Sequence, residues 1–180
     1  MVVSGLAAGP ASASVDAMRR PRNELPPEGI YHVTTRGVAR TATFRADDEY
    51  RLFLRLLVRV VERHEWRMHG FCLMPNHYHL VVETELWRLS AGVQSLNGVY
   101  AQAFNRRHRR WGHLFGERFA SWVVEDDAHL VNTIEYVLHN PVRAGLVERA
   151  ADWPWAARRL AVGGRQSSVK RTLVRVHQPG

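Results

Sequence analysis

The sequence predicts one α+β domain of the ferredoxin-like, RRM-like split βαβ type, an antiparallel sheet with helices mainly on one face. Two observations support this fold class. Segments with strand and helix periodicity follow each other in the order β-α-β-β-α-β-α. The 180 residues are 46% hydrophobic, which is enough for one core. No apolar run approaches the roughly 20 residues of a membrane span.

The first half of the domain contains three predicted strands and one helix. GIYHVTTRG is rich in β-forming residues and ends in a turn. Asp47 is a candidate N-cap for EYRLFLRLLVRVVERH, in which apolar residues recur at helical spacing. Residues 66–74 and 77–83 are predicted strands. Pro75 and Asn76 separate them, so we expect a hairpin.

The second half is predicted to contain two helices and one strand before a C-terminal cap. Residues 90–107 form an amphipathic helix, the basic loop RRHRRWGH follows, and RFASWVVE is the next strand. Asp126 or Asp127 begins the third helix. We expect this helix to end at Asn140, because Pro141 cannot continue its hydrogen bonds. The following residues are predicted to add a short helical cap, with the aromatic DWPW segment packed on the body.

The composition divides the chain into three parts. Residues 1–28 are rich in Ala, Ser, Gly and Pro and are expected to form a loose leader, and 29–157 is the predicted folded domain. Residues 158–180 form a tail with six basic residues and no acidic residue. The formal net charge is +8, and all the basic residues except Lys170 are arginine. Cys72 is the single cysteine, which excludes an internal disulfide framework and fits a reducing cytoplasm.

His77 and His79 are the first candidates for chemistry. Alternate side chains of a strand point to one face, so the two imidazoles converge while Tyr78 points to the other face. Neutral imidazoles bind several divalent metals. An isolated His-x-His pair also occurs in zinc hydrolases and on plain surface strands, so the pair alone is weak evidence for a metal site.

Tyr136 and Asn140 are the second candidates. Positions i and i+4 share one face of a helix, so a phenol and an amide oxygen would be presented to the same space. The alternative interpretation is that Tyr136 is a core aromatic residue and that Asn140 only terminates the helix before Pro141.

Several motifs that lie far apart in the sequence point to one family. YHVTTRG, LMPNHYHLVV, NRRHRRWGHLFGERF, EYVLHNPVRAGLV and DWPW occur in this order between about Gly29 and Trp155. Together they resemble the single-tyrosine HUH transposases, and within these the REP-associated tyrosine transposases most of all. A series of motifs in the right order is far more specific than the histidine pair by itself.

The resemblance implies a set of roles for these residues. His77, His79 and Asn140 would bind a divalent metal, Mg²⁺ or Mn²⁺, and Tyr136 would be the nucleophile. His139 is a neighbouring candidate ligand, but at i+3 it is rotated off the Tyr136 face of the helix by part of a turn, so Asn140 is preferred.

The resemblance also implies an activity and its setting. The enzyme would cleave and rejoin single-stranded DNA that bears a hairpin, such as a REP-like palindrome, through a 5′-phosphotyrosine intermediate in DNA transposition. It would act in the bacterial cytoplasm, associated with the nucleoid and with no membrane partner. Relatives include monomers and homodimers, so the oligomeric state stays open.

A cluster of arginines and aromatic rings between the second helix and the next strand is the candidate DNA-binding surface. Arginine matches phosphate geometry, and aromatic rings stack on unpaired bases. Its members are Arg106, Arg107, Arg109, Arg110, Arg118, Trp111 and Phe115. The alternative is a solvated helix end with core aromatics.

A replication or conjugation relaxase of the wider HUH group is a near alternative, although such enzymes usually have a longer chain with accessory domains. Two more distant functions are compatible with parts of this pattern. A domesticated relative that binds hairpin DNA as a regulator would keep the arginines without needing the histidines and the tyrosine. A metal-dependent hydrolase would use the His-x-His pair, but it would need more ligands and leaves Tyr136 unexplained. Six other histidines lack convergent spacing and receive no role: His32, His64, His69, His108, His113 and His129.

Overall fold

The computed structural model describes residues 25–116 and 118–158. Its elements are β1 (Glu28–Arg36), α1 (Asp47–Arg63), β2 (Arg67–Met74), β3 (His77–Glu85), α2 (Leu86–His108), β4 (Ala120–Val124), α3 (Asp127–Leu138), α4 (Asn140–Arg143) and β5 (Ala156–Arg158). The predicted alternation of strands and helices and the α+β class are confirmed. Almost all of the predicted leader and basic tail lies outside the described residues.

The strands form one antiparallel sheet in the order β4-β1-β3-β2-β5. The predicted hairpin is β2–β3, in which Met74 pairs with His77 and Cys72 pairs with His79. β3 lies at the centre of the sheet, with β1 on its other side. The two histidines are therefore held in a strand that has hydrogen-bonded neighbours on both edges.

The two faces of the sheet carry different helices. The face that includes Tyr31, Tyr78 and Leu80 packs against α1 and α2 and forms the main hydrophobic core. The opposite face packs against α3 through a smaller cluster that includes Cys72 and Val137. The two long helices thus share one face, as predicted, and α3 lies on the face to which the histidines point.

The long helices follow from their sequence patterns. In α1 the apolar residues at helical spacing are buried. Three acidic residues in its first turn stabilise the helix by interacting favourably with its dipole. Asp47 is the first helical residue and Ala46 the N-cap, so the predicted capping role is corrected. Among the described residues no helix is long and apolar enough to span a membrane.

Two predictions for the C-terminal side of the domain are wrong. Pro141 does not simply end a helix at Asn140: α3 ends at Leu138, and Pro141 lies in the first turn of α4. A proline has no N–H to donate, but its fixed φ suits the start of a helix. The segment after Trp155 also contains β5, which pairs with β2. Three residues are too short to show strand periodicity in a sequence.

Three further boundaries shift as well. Leu25 is buried in the core, so the end of the predicted leader packs on the domain. Arg158 belongs to β5 and forms an ion pair with Glu135, 2.9 Å apart, so the domain extends into the predicted tail. α2 begins at Leu86 and includes Arg106 and Arg107. The predicted basic loop is therefore partly helical.

A pair of glycines in α2 provides a test of this packing. A Cβ at Gly92 would lie 2.2 Å from a ring carbon of Trp66, whereas a Cβ at Gly98 would meet nothing within 4 Å. We expect Gly92→Ala to lower the free energy of unfolding by about 1–3 kcal/mol through overpacking. Gly98→Ala should raise it by about 0.5–1 kcal/mol, because alanine loses less backbone entropy in a helix. Urea denaturation measures both; equal effects of the two substitutions would contradict this packing.

The thiol of Cys72 is predicted to be inert in the folded protein. The residue is fully buried in β2, and burial raises the pKa of its thiol to about 12. Since only the thiolate reacts, we expect a disulfide reagent at pH 8 to modify Cys72 in guanidinium but not in buffer. Rapid modification of the native protein would show that this face of β2 is open to solvent.

Candidate active site

His77 and His79 lie on the same face of β3, as the strand periodicity predicts. Their ring centroids are 5.0 Å apart and the rings are nearly perpendicular, at 82°. His79 is buried, and His77 is half-buried at the beginning of the strand. The pair therefore faces the space between the sheet and α3.

Both imidazoles are neutral at physiological pH. Burial, together with a smaller contribution from the nearby Arg36, lowers the pKa of His77 to about 4. Burial also lowers the pKa of His79 well below its usual value, with added repulsion from His32, His77 and charged arginines. A neutral imidazole is the form that binds a metal ion.

Each histidine presents the same ring nitrogen to the site. Nδ1 of His77 donates to Oδ1 of Asn76 at 2.7 Å, which leaves a lone pair on its Nε2. Nδ1 of His79 lies 2.9 Å from Nε2 of His32. Nε2 of His79 is buried, and within residues 25–116 and 118–158 it has no hydrogen-bond partner.

α3 places the ring of Tyr136 beside that of His79. Asp126 caps the helix by accepting a hydrogen bond from the backbone N–H of His129 at 2.7 Å. Val137 packs against the sheet in the smaller apolar cluster, which fixes the helix orientation. The centroid of the Tyr136 ring lies 6.1 Å from that of His79, and the rings are perpendicular, at 88°. Two residues 57 positions apart in sequence thus meet across the sheet–helix interface.

Asn140 follows α3 by two residues and is half-buried. Its Nδ2 donates to the backbone carbonyl of Tyr136 at 2.9 Å. The amide oxygen is then the atom that could bind a cation. His139 makes different contacts, because its Nδ1 lies 2.9 Å from the carbonyl oxygen of Glu135. The contacts of His139 are therefore with its own helix, away from the histidine pair.

The donor chemistry fits a divalent cation. The buried, unpartnered Nε2 of His79 is an atom that a bound cation would satisfy. No group of three or more His, Cys, Asp or Glu side chains suited to a metal occurs in the part of the chain that the structure describes. A site at this position would therefore need an amide such as Asn140 beside His77 and His79.

Two residues at the site were missed by the sequence analysis. His32 received no role, but its ring stacks on that of His79 with centroids 5.1 Å apart. Arg143 lies on α4, and its guanidinium carbon is 4.7 Å from the centroid of the Tyr136 ring. A signal for His32 was present: in YHVTTRG it alternates with Thr34 and Arg36 on one strand face. No pattern in the sequence singles out Arg143.

The predicted DNA-binding cluster contains exposed side chains that form no ion pair among the described residues, and side chains that contact other parts of the protein. Arg106 and Arg109 are exposed, and Trp111 is 96% exposed. Among the described residues, neither Arg106 nor Arg109 forms an ion pair with a carboxylate. Arg107 instead pairs with Asp48 and Glu49 at the beginning of α1.

The remaining members also differ from one another. Arg118 is exposed and lines a groove of about 820 Å³ between α2 and the segment after it. Arg110 is half-buried beside Phe104, with its guanidinium carbon 5.9 Å from the ring centroid. Phe115 is buried at 7% exposure and packs on Tyr78. Its predicted role in stacking on bases is corrected, because its ring belongs to the hydrophobic core.

Backbone hydrogen bonds join the basic cluster to the histidine end of the sheet. After Trp111 the chain runs beside the end of β1, where the N–H of Gly116 donates to the carbonyl of Arg36 at 3.0 Å. Arg36 pairs directly with His77 across β1 and β3. The exposed arginines and the histidines are thus connected through the same end of the sheet.

Comparison with known proteins gives one family. The model for "Transposase IS200 like" matches residues 27–140. A protein of Haemophilus influenzae that bears the name of a REP-associated tyrosine transposase is 23% identical over 149 residues, which cover 76% of this chain and 83% of that protein.

Two solved structures match this chain, one of them with a similar fold. One is a REP-associated tyrosine transposase bound to a REP hairpin, with a TM-score of 0.60 and 15% identity over 78% of this chain and 90% of that chain. The other is a transposase from Deinococcus radiodurans, with a TM-score of 0.45 and 16% identity over 66% of this chain and 97% of that chain. The family match spans both histidines, Tyr136 and Asn140. The chain therefore belongs to the IS200-like transposases, enzymes that bind DNA and act in DNA transposition.

Proposed function

We propose that this transposase cleaves and rejoins single-stranded DNA through a covalent 5′-phosphotyrosine on Tyr136. The position of Tyr136 beside the neutral His79, 6.1 Å away between ring centroids, is the observation on which this proposal rests. A hydrolase would need only the histidines and further ligands. A phenol that a capped helix holds beside them is suited to the role of a nucleophile.

The cleavage step exchanges one phosphodiester for another. The phenol oxygen of Tyr136 attacks phosphorus and the bond from phosphorus to the 3′ oxygen breaks. The phenol loses its proton, and the departing 3′ oxygen gains one to become a hydroxyl. In the second step a 3′-hydroxyl attacks the phosphotyrosine, which restores the phenol and rejoins DNA. Because each step forms one phosphate ester as it breaks another, no ATP is needed.

The side chains around Tyr136 bind and orient the reacting groups. His77, His79 and Asn140 would hold Mg²⁺ or Mn²⁺, which as a Lewis acid would polarise the scissile phosphate. Arg143, with its guanidinium over the tyrosine ring, places positive charge where a phosphate must approach. The sheet and α3 exclude water from the inner side of His79, since that residue is 6% exposed.

The substrate proposed is DNA that carries a hairpin. The similar structure named above is bound to a REP hairpin, and the exposed Arg106, Arg109 and Trp111 offer guanidinium groups for phosphate and a ring for stacking. The basic cluster meets the sheet at the end where β3 begins, so bound DNA could extend from it towards His77. A palindrome of the REP type and a setting in the bacterial cytoplasm belong to this proposal.

We propose in addition that the enzyme cleaves in cis. Tyr136 and the histidine pair lie together in one chain, so a monomer contains every residue named for the reaction. An exchange of α3 between two protomers is not needed to assemble the site.

Tyr136→Phe should abolish covalent attachment, because phenylalanine has no oxygen to attack phosphorus. The assay incubates labelled hairpin DNA with Mn²⁺, denatures the protein and measures the adduct by electrophoresis. Tyr50→Phe is the matched control: Tyr50 lies in the main core on the other sheet face, and this variant should keep the adduct. An adduct in Tyr136→Phe would remove Tyr136 from its role. Binding without an adduct on any hairpin would favour the regulator that only binds DNA.

Arg106→Gln combined with Arg109→Gln should weaken DNA binding, because it removes two guanidinium groups that can neutralise phosphate. We expect the log–log salt slope of the affinity to flatten by about 0.7 for each single-strand phosphate that is no longer neutralised. The matched control is Arg55→Gln with Arg59→Gln, which removes the same charge from the exposed side of α1. Fluorescence anisotropy from about 50 to 300 mM salt, the range over which such binding weakens strongly, measures both. Equal slopes in the two double variants would contradict a specific DNA surface at the end of α2.

A further inference from the structure

His32 is buried against His79 in the middle of the candidate site. It lies on β1, 4% exposed, and its ring stacks on that of His79 at an angle of 25°. Nε2 of His32 is 2.9 Å from Nδ1 of His79. Trp122 on β4 packs on the other side, with centroids 5.3 Å apart. The ring is thus fixed between two strands and aimed at one nitrogen of His79.

Two nitrogen atoms at this distance share one proton, and the two possible arrangements are not equivalent. If Nε2 of His32 donates, Nδ1 of His79 accepts and the proton of His79 is on Nε2. That N–H would be a buried donor without a partner among the described residues, which is unfavourable. If Nδ1 of His79 donates instead, its Nε2 carries a lone pair that a bound cation can use.

The other histidine of the pair shows the same arrangement with a different partner. Nδ1 of His77 donates to Oδ1 of Asn76, and Nδ2 of Asn76 in turn donates to the carbonyl of Arg40 at 3.2 Å. This second hydrogen bond orients the amide so that its oxygen faces His77. Both histidines therefore have Nδ1 engaged by a neighbour, and both have Nε2 left for the site.

We propose that His32 is a positioning residue that holds His79 in its Nδ1–H tautomer, as Asn76 does for His77, so that both Nε2 atoms are ready for the cation. This inference rests on the proposed function, since it assigns the tautomer that a metal ligand needs. His32 would act through His79 and would not itself be a ligand. Such outer partners fix the ring orientation and the basicity of ligand histidines, and their removal typically lowers metal affinity about 10–100-fold.

The tautomer can be measured on the full-length, metal-free wild type. Long-range nitrogen–proton NMR of protein labelled with ¹⁵N-histidine distinguishes Nδ1–H from Nε2–H, and the His79 signals are identified by their disappearance in His79→Asn. We expect the Nδ1–H form for His79. An Nε2–H form in the wild type overturns the proposal without any variant at His32.

Mn²⁺ affinity, measured from the signal of free Mn²⁺ in electron paramagnetic resonance, provides the second readout. His32→Phe keeps the ring and the packing but removes the acceptor, so we expect the dissociation constant to rise about 10–100-fold. His32→Gln can place an amide oxygen near the same position and should stay within about threefold of the wild type. Wild-type affinity in His32→Phe, or equally weakened affinity in both variants, would overturn the positioning role.

Two controls separate this inference from its premise. His69→Phe removes a histidine that pairs with Glu83 at 2.9 Å elsewhere on the sheet, and it should leave both readouts unchanged; a decrease in affinity equal to that of His32→Phe overturns the proposal. His77→Ala should abolish Mn²⁺ binding. If it does not, the metal role under Proposed function fails, while the tautomer of His79 in the metal-free protein still decides the inference about His32.

Discussion

The antiparallel register between β1 and β3 is the constraint on which the site depends. It places Arg36 opposite His77 and Thr34 opposite His79, and it sets His32 diagonally beside His79. A slip of one residue would turn both histidines towards the main core and bring Tyr78 to the site face. That slip is blocked because Tyr78 is fully buried and its hydroxyl donates to Asn97 of α2 at 2.7 Å. The main core thus fixes the orientation of the histidines on the other face.

The chain keeps the groups that would bind DNA apart from those that would cut it. The exposed charge lies at the end of α2, where phosphate can approach Arg106 and Arg109 directly from solvent. His77 and His79 are at least partly buried, and this burial keeps them neutral because it lowers the pKa of both side chains. Buried, neutral imidazoles would suit cleavage, and solvated arginines on the surface would suit DNA binding. The end of β1 connects the two regions.

Much of the architecture could be predicted from local patterns. Strand and helix periodicity indicated the element order, and the motif series indicated the family, which the matched model confirms. The roles of Tyr136, Asn140 and the metal stay predictions. The errors have local causes: β5 is too short for periodicity, and Pro141 fits a helix start as well as a helix end. Phe115 was misplaced because a ring among arginines has the same sequence pattern whether it is buried or exposed.

The sequence by itself determined which side chains are available and which of them share a strand face or a helix turn, because these relations depend on backbone periods of about 2.0 and 3.6 residues. It therefore paired His77 with His79 and Tyr136 with Asn140. Only the tertiary structure decided that α3 crosses the sheet face carrying the histidines, and that His32 and Arg143 join them. Contacts between separate elements depend on how the core packs, and side-chain spacing within one element contains no information about that.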